Sequence, residues 1–208
     1  MAEDFEARAA TWDDDPARLA RVRRVADVIR ANVPLTGHPV TVELGAGTGM
    51  LSRCLAAELG PVTLLDASPA MIAVANRALE TAGLGDWATA VTDLATDVPG
   101  GPYDLALAQM SLHHMDDVPA LLARLHQVMV PGGMVAIADL DHDAVGGYHA
   151  KATDFHGYHG FRRDELRGWL EAAGYRGVVF HDAGVVGKEV DGERQDFPLF
   201  LALAQARW

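Results

Sequence analysis

The sequence predicts an α/β three-layer sandwich, a mostly parallel sheet with helices on both faces. Three observations carry that prediction. Short apolar runs alternate with helix-period segments from Val40 to Leu140. The runs are nearly continuous in apolar residues, as in "DLALAQM", which fits strands buried on both sides. The first run enters a glycine-rich turn, "ELGAGTGM", and leaves it as a helix.

The elements follow in order. "DDDPARLARVRRVADVIRANV" reads as a helix capped at Asp14 or Asp15, with Pro16 in its first turn. Leu19, Val22, Val25, Ala26 and Ile29 recur at three- and four-residue spacing and give it one apolar stripe. "VTVEL" (Val40 to Leu44) is the strand entering the turn, and "MLSRCLAAEL" is the helix leaving it. "PVTLLD" is a second strand, followed by a helix with Ser68 as its cap and Pro69 at its first position. "DWATAVTD" is a third strand and "YDLALAQM" a fourth. "DVPALLARLHQVM" is a helix stopped by "PGG", and "MVAIADL" is the fifth strand. Beyond Leu140 the stretch "DHDAVGGYHAKATDFHGYHGF" has no clear period. A helix ending at Gly174 and two last strands, "RGVVFH" and "FPLFLALAQA", complete seven strands. With no internal repeat and no linker, residues 1–208 are expected to form one domain.

Composition narrows the partners. The chain has 208 residues and a net charge of −12, so its surface repels phosphate backbones and anionic membranes. Neither nucleic acid nor a membrane is expected as a partner. The one dense basic stretch, "RLARVRR", lies on a helix preceded by three aspartates. The acidic N-terminus carries no signal-peptide pattern, and a cytoplasmic location is expected. The single cysteine, Cys54, cannot form an intrachain disulfide and reads as a packed small hydrophobe.

In open parallel sheets, ligands sit beyond the carboxyl ends of the strands. Asp66 ends the second strand about 20 residues past the glycine turn, the spacing of an acid that accepts from ribose hydroxyls. The turn itself departs from the dinucleotide fingerprint, because Met50 stands where a third glycine would fall. It also lacks the lysine of a phosphate loop and is preceded by Glu43. A carboxylate there disfavours a pyrophosphate and suits an ammonium or sulfonium. The ligand should therefore be adenosyl-containing and cationic.

"VELGAGTGMLS" resembles the first motif of class I S-adenosylmethionine-dependent methyltransferases. "LLDASPAMIAVA", "VTDLATDVP", "YDLALAQMSLHHMDD" and "LHQVMVPGGMVAIADL" resemble the segments that follow it, in order. The likeness is to the small-molecule branch, the ubiquinone/menaquinone-biosynthesis type. It implies a Rossmann-like seven-stranded sheet with an antiparallel last strand and S-adenosylmethionine as cofactor. For the cofactor it implies Glu43, Gly45, Ala46, Gly47 and Gly49 at the methionine end, with Glu43 orienting the turn. Asp66 would bind the ribose, Ala67 and Met71 line the adenine, Asp93 and Leu94 read its edge, and Gln109 lie near the sulfonium.

The acceptor end is less marked. Residues 1–35 are expected to form a helical lid and residues 141–162 an acceptor-site insertion. Trp12, His114, Tyr148, Phe155 and Tyr158 are the candidate acceptor contacts, and His113, His156 and His159 the candidate general bases. "DLDHD" and "HGYH" match no metal-ligand spacing, so no metal is expected. "AQMS" is not the motif of enzymes that methylate nucleobase amines, which leaves a small-molecule acceptor methylated at oxygen, nitrogen or carbon. A monomer or homodimer is expected. Two alternatives stay open, a cofactor-binding sensor or partner subunit without turnover and a nicotinamide-dependent oxidoreductase.

Overall fold

Three helices begin with the same device, a short polar side chain followed closely by proline. The computed structural model describes residues 5–150 and 155–207, so parts of the two segments expected at 1–35 and 141–162 lie outside it. Its helices are α1 (Phe5–Arg8), α2 (Pro16–Asn32), α3 (Met50–Cys54), α4 (Pro69–Ala82), α5 (Val118–Gln127) and α6 (Arg163–Ala172). The side chains of Asp15, Ser68 and Asp117 accept from backbone N–H groups in the first turns of α2, α4 and α5. Gly83, at φ +70°, ends α4 in the left-handed region that a side chain would resist.

The strands are β1 (Thr41–Leu44), β2 (Val62–Asp66), β3 (Ala88–Val91), β4 (Tyr103–Gln109), β5 (Met129–Leu140), β6 (Tyr175–Val190) and β7 (Glu193–Ala206). They form one sheet in the order β3-β2-β1-β4-β5-β7-β6. β7 runs antiparallel to both of its neighbours, and the pairs from β3 to β5 are parallel. The Rossmann-like sheet with a reversed last strand is thus the observed architecture.

Both faces of the sheet are covered, which explains the unbroken apolar runs. Along β4, Leu105 and Leu107 join Val25, Ile29 and Leu51 in one core. Their neighbours Ala106 and Ala108 join Leu121, Leu125 and Leu166 in the other. Alternate side chains leave a strand on opposite faces, so a strand between two helical layers has no polar side.

Three boundaries differ from the sequence reading. The helix after the glycine turn stops at Cys54 and continues only as turns. β5 begins at Met129, through the "PGG" that was expected to precede it, with a register shift against β4 at its start. The last two strands are much longer than expected. They form a hairpin reversed at Asp191 (φ +52°) and Gly192 (φ +83°), the two left-handed residues of a tight turn.

Candidate functional site

The strand order reverses between β1 and β4, and a cavity of about 740 Å³ opens beyond the carboxyl ends of β1, β2 and β4. That volume fits a drug-sized ligand. Glu43, Gly45, Ala46, Gly47, Asp66, Ala67, Met71, Asp93, Leu94 and Gln109 all lie on its wall. The glycine turn is therefore the floor of the cavity.

Its three glycines are there for different reasons. All three have positive φ, so any side chain would be strained. A Cβ on Gly45 would sit 2.5 Å from the Ser111 Cβ, and one on Gly49 would sit 2.5 Å from a Leu64 methyl. These two make room for the protein itself. A Cβ on Gly47 would meet only the Trp12 ring nitrogen at 3.8 Å and the Met71 sulfur at 3.9 Å. Of the three, Gly47 alone has room for a Cβ at ordinary contact distances. Gly49 is also absent from the cavity wall, so its expected cofactor role reduces to packing on β2.

Two carboxylates hold the turn. Asp66 accepts from the Gly47 N–H at 2.7 Å and the Ser68 N–H at 2.9 Å, one bond to each oxygen. A carboxylate has about four acceptor sites, so capacity is left for a ligand hydroxyl. Burial pushes its acid upward, against those two bonds. Glu43 is buried and accepts from both the N–H and the hydroxyl of Ser52. It ties α3 to β1 across the turn. Burial, opposed by the Ser52 bonds, raises the Glu43 acid to about 7. Asp93 is exposed and turns the chain after β3, accepting from the Ala95 N–H at 2.9 Å.

The N-terminal segment lies across this floor. Phe5, Glu6 and Trp12 line the cavity. Glu6 accepts from the Ser68 hydroxyl at 2.6 Å, and Asp13 takes the Thr48 hydroxyl and an Arg53 nitrogen. The Trp12 ring sits under the Arg18 guanidinium, 3.8 Å from its centroid. Arg18 and Arg21, one helical turn apart on α2, also reach the wall. The Arg21 Nε is buried without a hydrogen-bond partner. Sequence reading passed over both, although their three-residue spacing beside the apolar stripe was a usable signal.

The expected acceptor residues divide. Trp12 and His114 are on the wall. Among the described residues, Tyr148, Phe155 and Tyr158 are not. Tyr158 packs against Phe161 and Trp169, with its hydroxyl 3.4 Å from the Asp116 carbonyl. Tyr148 packs against Phe197 and under the Lys188 ammonium. The segment after β5 folds back on its own base, where Asp141 bridges to Phe161 and Arg163 grips the Asp141 carboxylate with two nitrogens. That closure turns its aromatics away from the cavity.

The candidate bases also divide. His156 and His159 are exposed and off the wall. His113 is buried behind His114, its Nδ1 2.5 Å from Asp139 Oδ1. His149 lies beside both, stacked flat on Phe155 at 3.6 Å between ring centroids. One ligand atom from each of His113, His114 and His149 falls within 4.8 Å of the others, a cluster the sequence did not reveal. Burial pushes His114 and His149 down to about 3, so both are neutral at physiological pH.

A family described as "Methyltransferase domain" matches residues 7–179. The biotin biosynthesis bifunctional protein BioCD of Bordetella avium is 32% identical over 152 residues, 72% of this chain and 32% of that protein. A ubiquinone biosynthesis O-methyltransferase of Azotobacter vinelandii is 27% identical over 187 residues, 82% of this chain and 80% of that one. The chain thus spans about a third of the first relative and most of the second. Among solved structures, phosphoethanolamine N-methyltransferase 2 of Haemonchus contortus, in complex with S-adenosyl-L-methionine, superposes with a TM-score of 0.70. It shares 17% identity, and the match covers 89% of this chain and 52% of that one, so it is a likeness of fold.

Proposed function

Since this chain belongs to the methyltransferase-domain family, with S-adenosylmethionine as its donor, we propose that it methylates an acidic oxygen of a small-molecule acceptor. The observation that carries the donor site is Gly47, which lies on the cavity wall, donates its N–H to Asp66, and has only the Trp12 ring nitrogen and the Met71 sulfur near the position of a Cβ. In this reading Asp66 takes the ribose hydroxyls, Asp93 and Leu94 the adenine edge, and Gly47 and Gln109 the methionine end. Arg21 supplies a cation for a carboxylate in the same cavity.

Transfer is an in-line displacement. An acceptor lone pair forms the new bond to the methyl carbon while the carbon–sulfur electrons return to sulfur, leaving neutral S-adenosylhomocysteine. Alignment and exclusion of water supply most of the acceleration. His114, the histidine on the wall, is a weak base because burial holds it near 3. An acceptor that arrives ionised needs none. Arg18 and Arg21 favour such an anion, and an oxygen acceptor agrees with the O-methyltransferase relative.

The test is S-adenosylhomocysteine production from a panel of carboxylates, phenols, aliphatic alcohols and amines, with the methylated product identified by mass. Turnover confined to carboxylates or phenols supports the proposal. Turnover of amines or alcohols overturns the acidic-oxygen assignment, and binding without turnover of any acceptor favours the sensor reading.

A further inference from the structure

Of the buried nitrogens without a hydrogen-bond partner among the described residues, three belong to two neighbouring histidines, whose ring centroids are 5.2 Å apart. The His113 Nε2 and both ring nitrogens of His149 are buried and make no hydrogen bond among the described residues. Each such atom costs on the order of 1–3 kcal/mol unless something meets it. We propose that His113, His114 and His149 hold a divalent transition-metal ion of the zinc class. This goes beyond methyl transfer and does not rest on it.

Four features of the cluster support the site. Its three potential ligand atoms already lie within 4.8 Å of one another. Asp139, fully buried, stands 2.5 Å from His113 Nδ1 and itself accepts from the Leu140 N–H at 2.8 Å. A carboxylate on one ring nitrogen fixes the tautomer that leaves the other nitrogen's lone pair free, the arrangement of metal-bound histidines. Phe155 lies parallel to the His149 ring, 7° between planes, and fixes its plane. The segment carrying Phe155 is anchored to the same loop through the Tyr158 N–H and the His113 carbonyl, at 2.8 Å.

Charge and donor type select the ion. Three imidazoles favour zinc, cobalt, nickel or copper over magnesium or calcium, which take oxygen ligands. The Asp139 carboxylate offsets part of a buried positive charge. Lys188, held over the Tyr148 ring and donating to the Tyr148 carbonyl, opposes it from the far side. Three protein ligands leave a fourth position for water or another oxygen. Such an ion would clamp the segment after β5 to the loop after β4, directly behind the cavity wall at His114.

The experiment strips the full chain with a chelator and titrates it with Co²⁺, whose visible absorption reports nitrogen ligation, and then with Zn²⁺ in competition. One Co²⁺ per chain, displaced by one Zn²⁺ and not by Mg²⁺, is expected. His149→Gln and His114→Gln should each weaken Zn²⁺ by about tenfold or more, since losing only an outer partner of a ligand costs about 10–100-fold. His142→Gln, an exposed histidine outside the cluster, should bind as the wild type does. Circular dichroism and thermal melts confirm that each variant is folded. A wild-type chain that takes up no stoichiometric Co²⁺ or Zn²⁺ overturns the proposal, leaving the nitrogens to a bridging water. So does uptake that survives undiminished in both cluster variants or disappears in His142→Gln.

Discussion

The donor turns and the histidine cluster stand side by side at the same edge of the sheet, yet they treat polar groups in opposite ways. At the donor turns, Asp66 has a backbone N–H on each oxygen and Glu43 holds both polar groups of Ser52. In the cluster, three buried ring nitrogens have no hydrogen-bond partner among the described residues. The two carboxylates of the first region are satisfied before its ligand arrives, and binding adds contacts to that frame. The second is incomplete as it stands, and its frame is completed by whatever meets those nitrogens.

The largest effect that could break this contrast concerns the turn's rigidity. Gly45→Ala must strain a left-handed residue and push Ser111 aside, so it should lower stability by about 2–4 kcal/mol in urea denaturation. Gly47→Ala meets no such obstacle and should lose about 1–2 kcal/mol from its φ alone, while weakening the cofactor by intruding on the cavity. Equal stability losses at the two positions would mean that the glycines share one role.

Asp66→Ala comes next. Losing two charge-assisted hydrogen bonds to a ribose should weaken S-adenosylhomocysteine binding roughly 10–100-fold. The protein should stay folded, because the residue ends a strand at the cavity.

A moderate effect belongs to pH. The Glu43 acid is raised from 4.5 to about 7, so ionisation costs the folded state free energy that the unfolded chain does not spend. Its contribution to stability is fully present below about 4.5 and is lost as pH rises through about 7. Glu43→Gln should therefore raise the melting temperature at pH 8 relative to wild type and flatten its pH dependence in that window. A sulfonium favours the ionised carboxylate, so S-adenosylmethionine should bind up to about tenfold better at pH 8 than at pH 6. S-adenosylhomocysteine, which lacks the sulfonium charge, should show less of that trend. A parallel trend for both ligands would remove Glu43 from the account.

The smallest effect tests the N-terminal strap. Glu6→Ala removes one part-buried bond to Ser68, which still caps α4, and should change KM for the donor by no more than about threefold. A larger loss would make Glu6 a donor contact in its own right.

The same contrast explains what could be read in the sequence. The donor turn is made of consecutive residues, a strand, its turn and the next helix, so spacing brought out the glycine turn and Asp66, and the family resemblance added Asp93. The cluster is assembled from residues 113–114, 139 and 149, and no local spacing marks residues brought together by β5 and the segment after it. "HH" read as two candidate side chains, whereas the fold sends His114 to the cavity and His113 into the interior. The Asp191–Gly192 turn was a legible hairpin signal, hidden by the polar run "KEVDGERQD" around it. Tyr148 and Tyr158 were aromatic enough for an acceptor pocket, but aromatic residues serve core packing equally well.

The most direct test of the account is calorimetric titration of the chain and its Asp66→Ala variant with S-adenosylhomocysteine, with NADH as the control. Wild-type binding on the order of micromolar, about 8 kcal/mol, with none to NADH and at least about tenfold loss in the variant, is the predicted result. Preference for NADH, or an unchanged affinity in a folded Asp66→Ala chain, would contradict the assignment of the cavity.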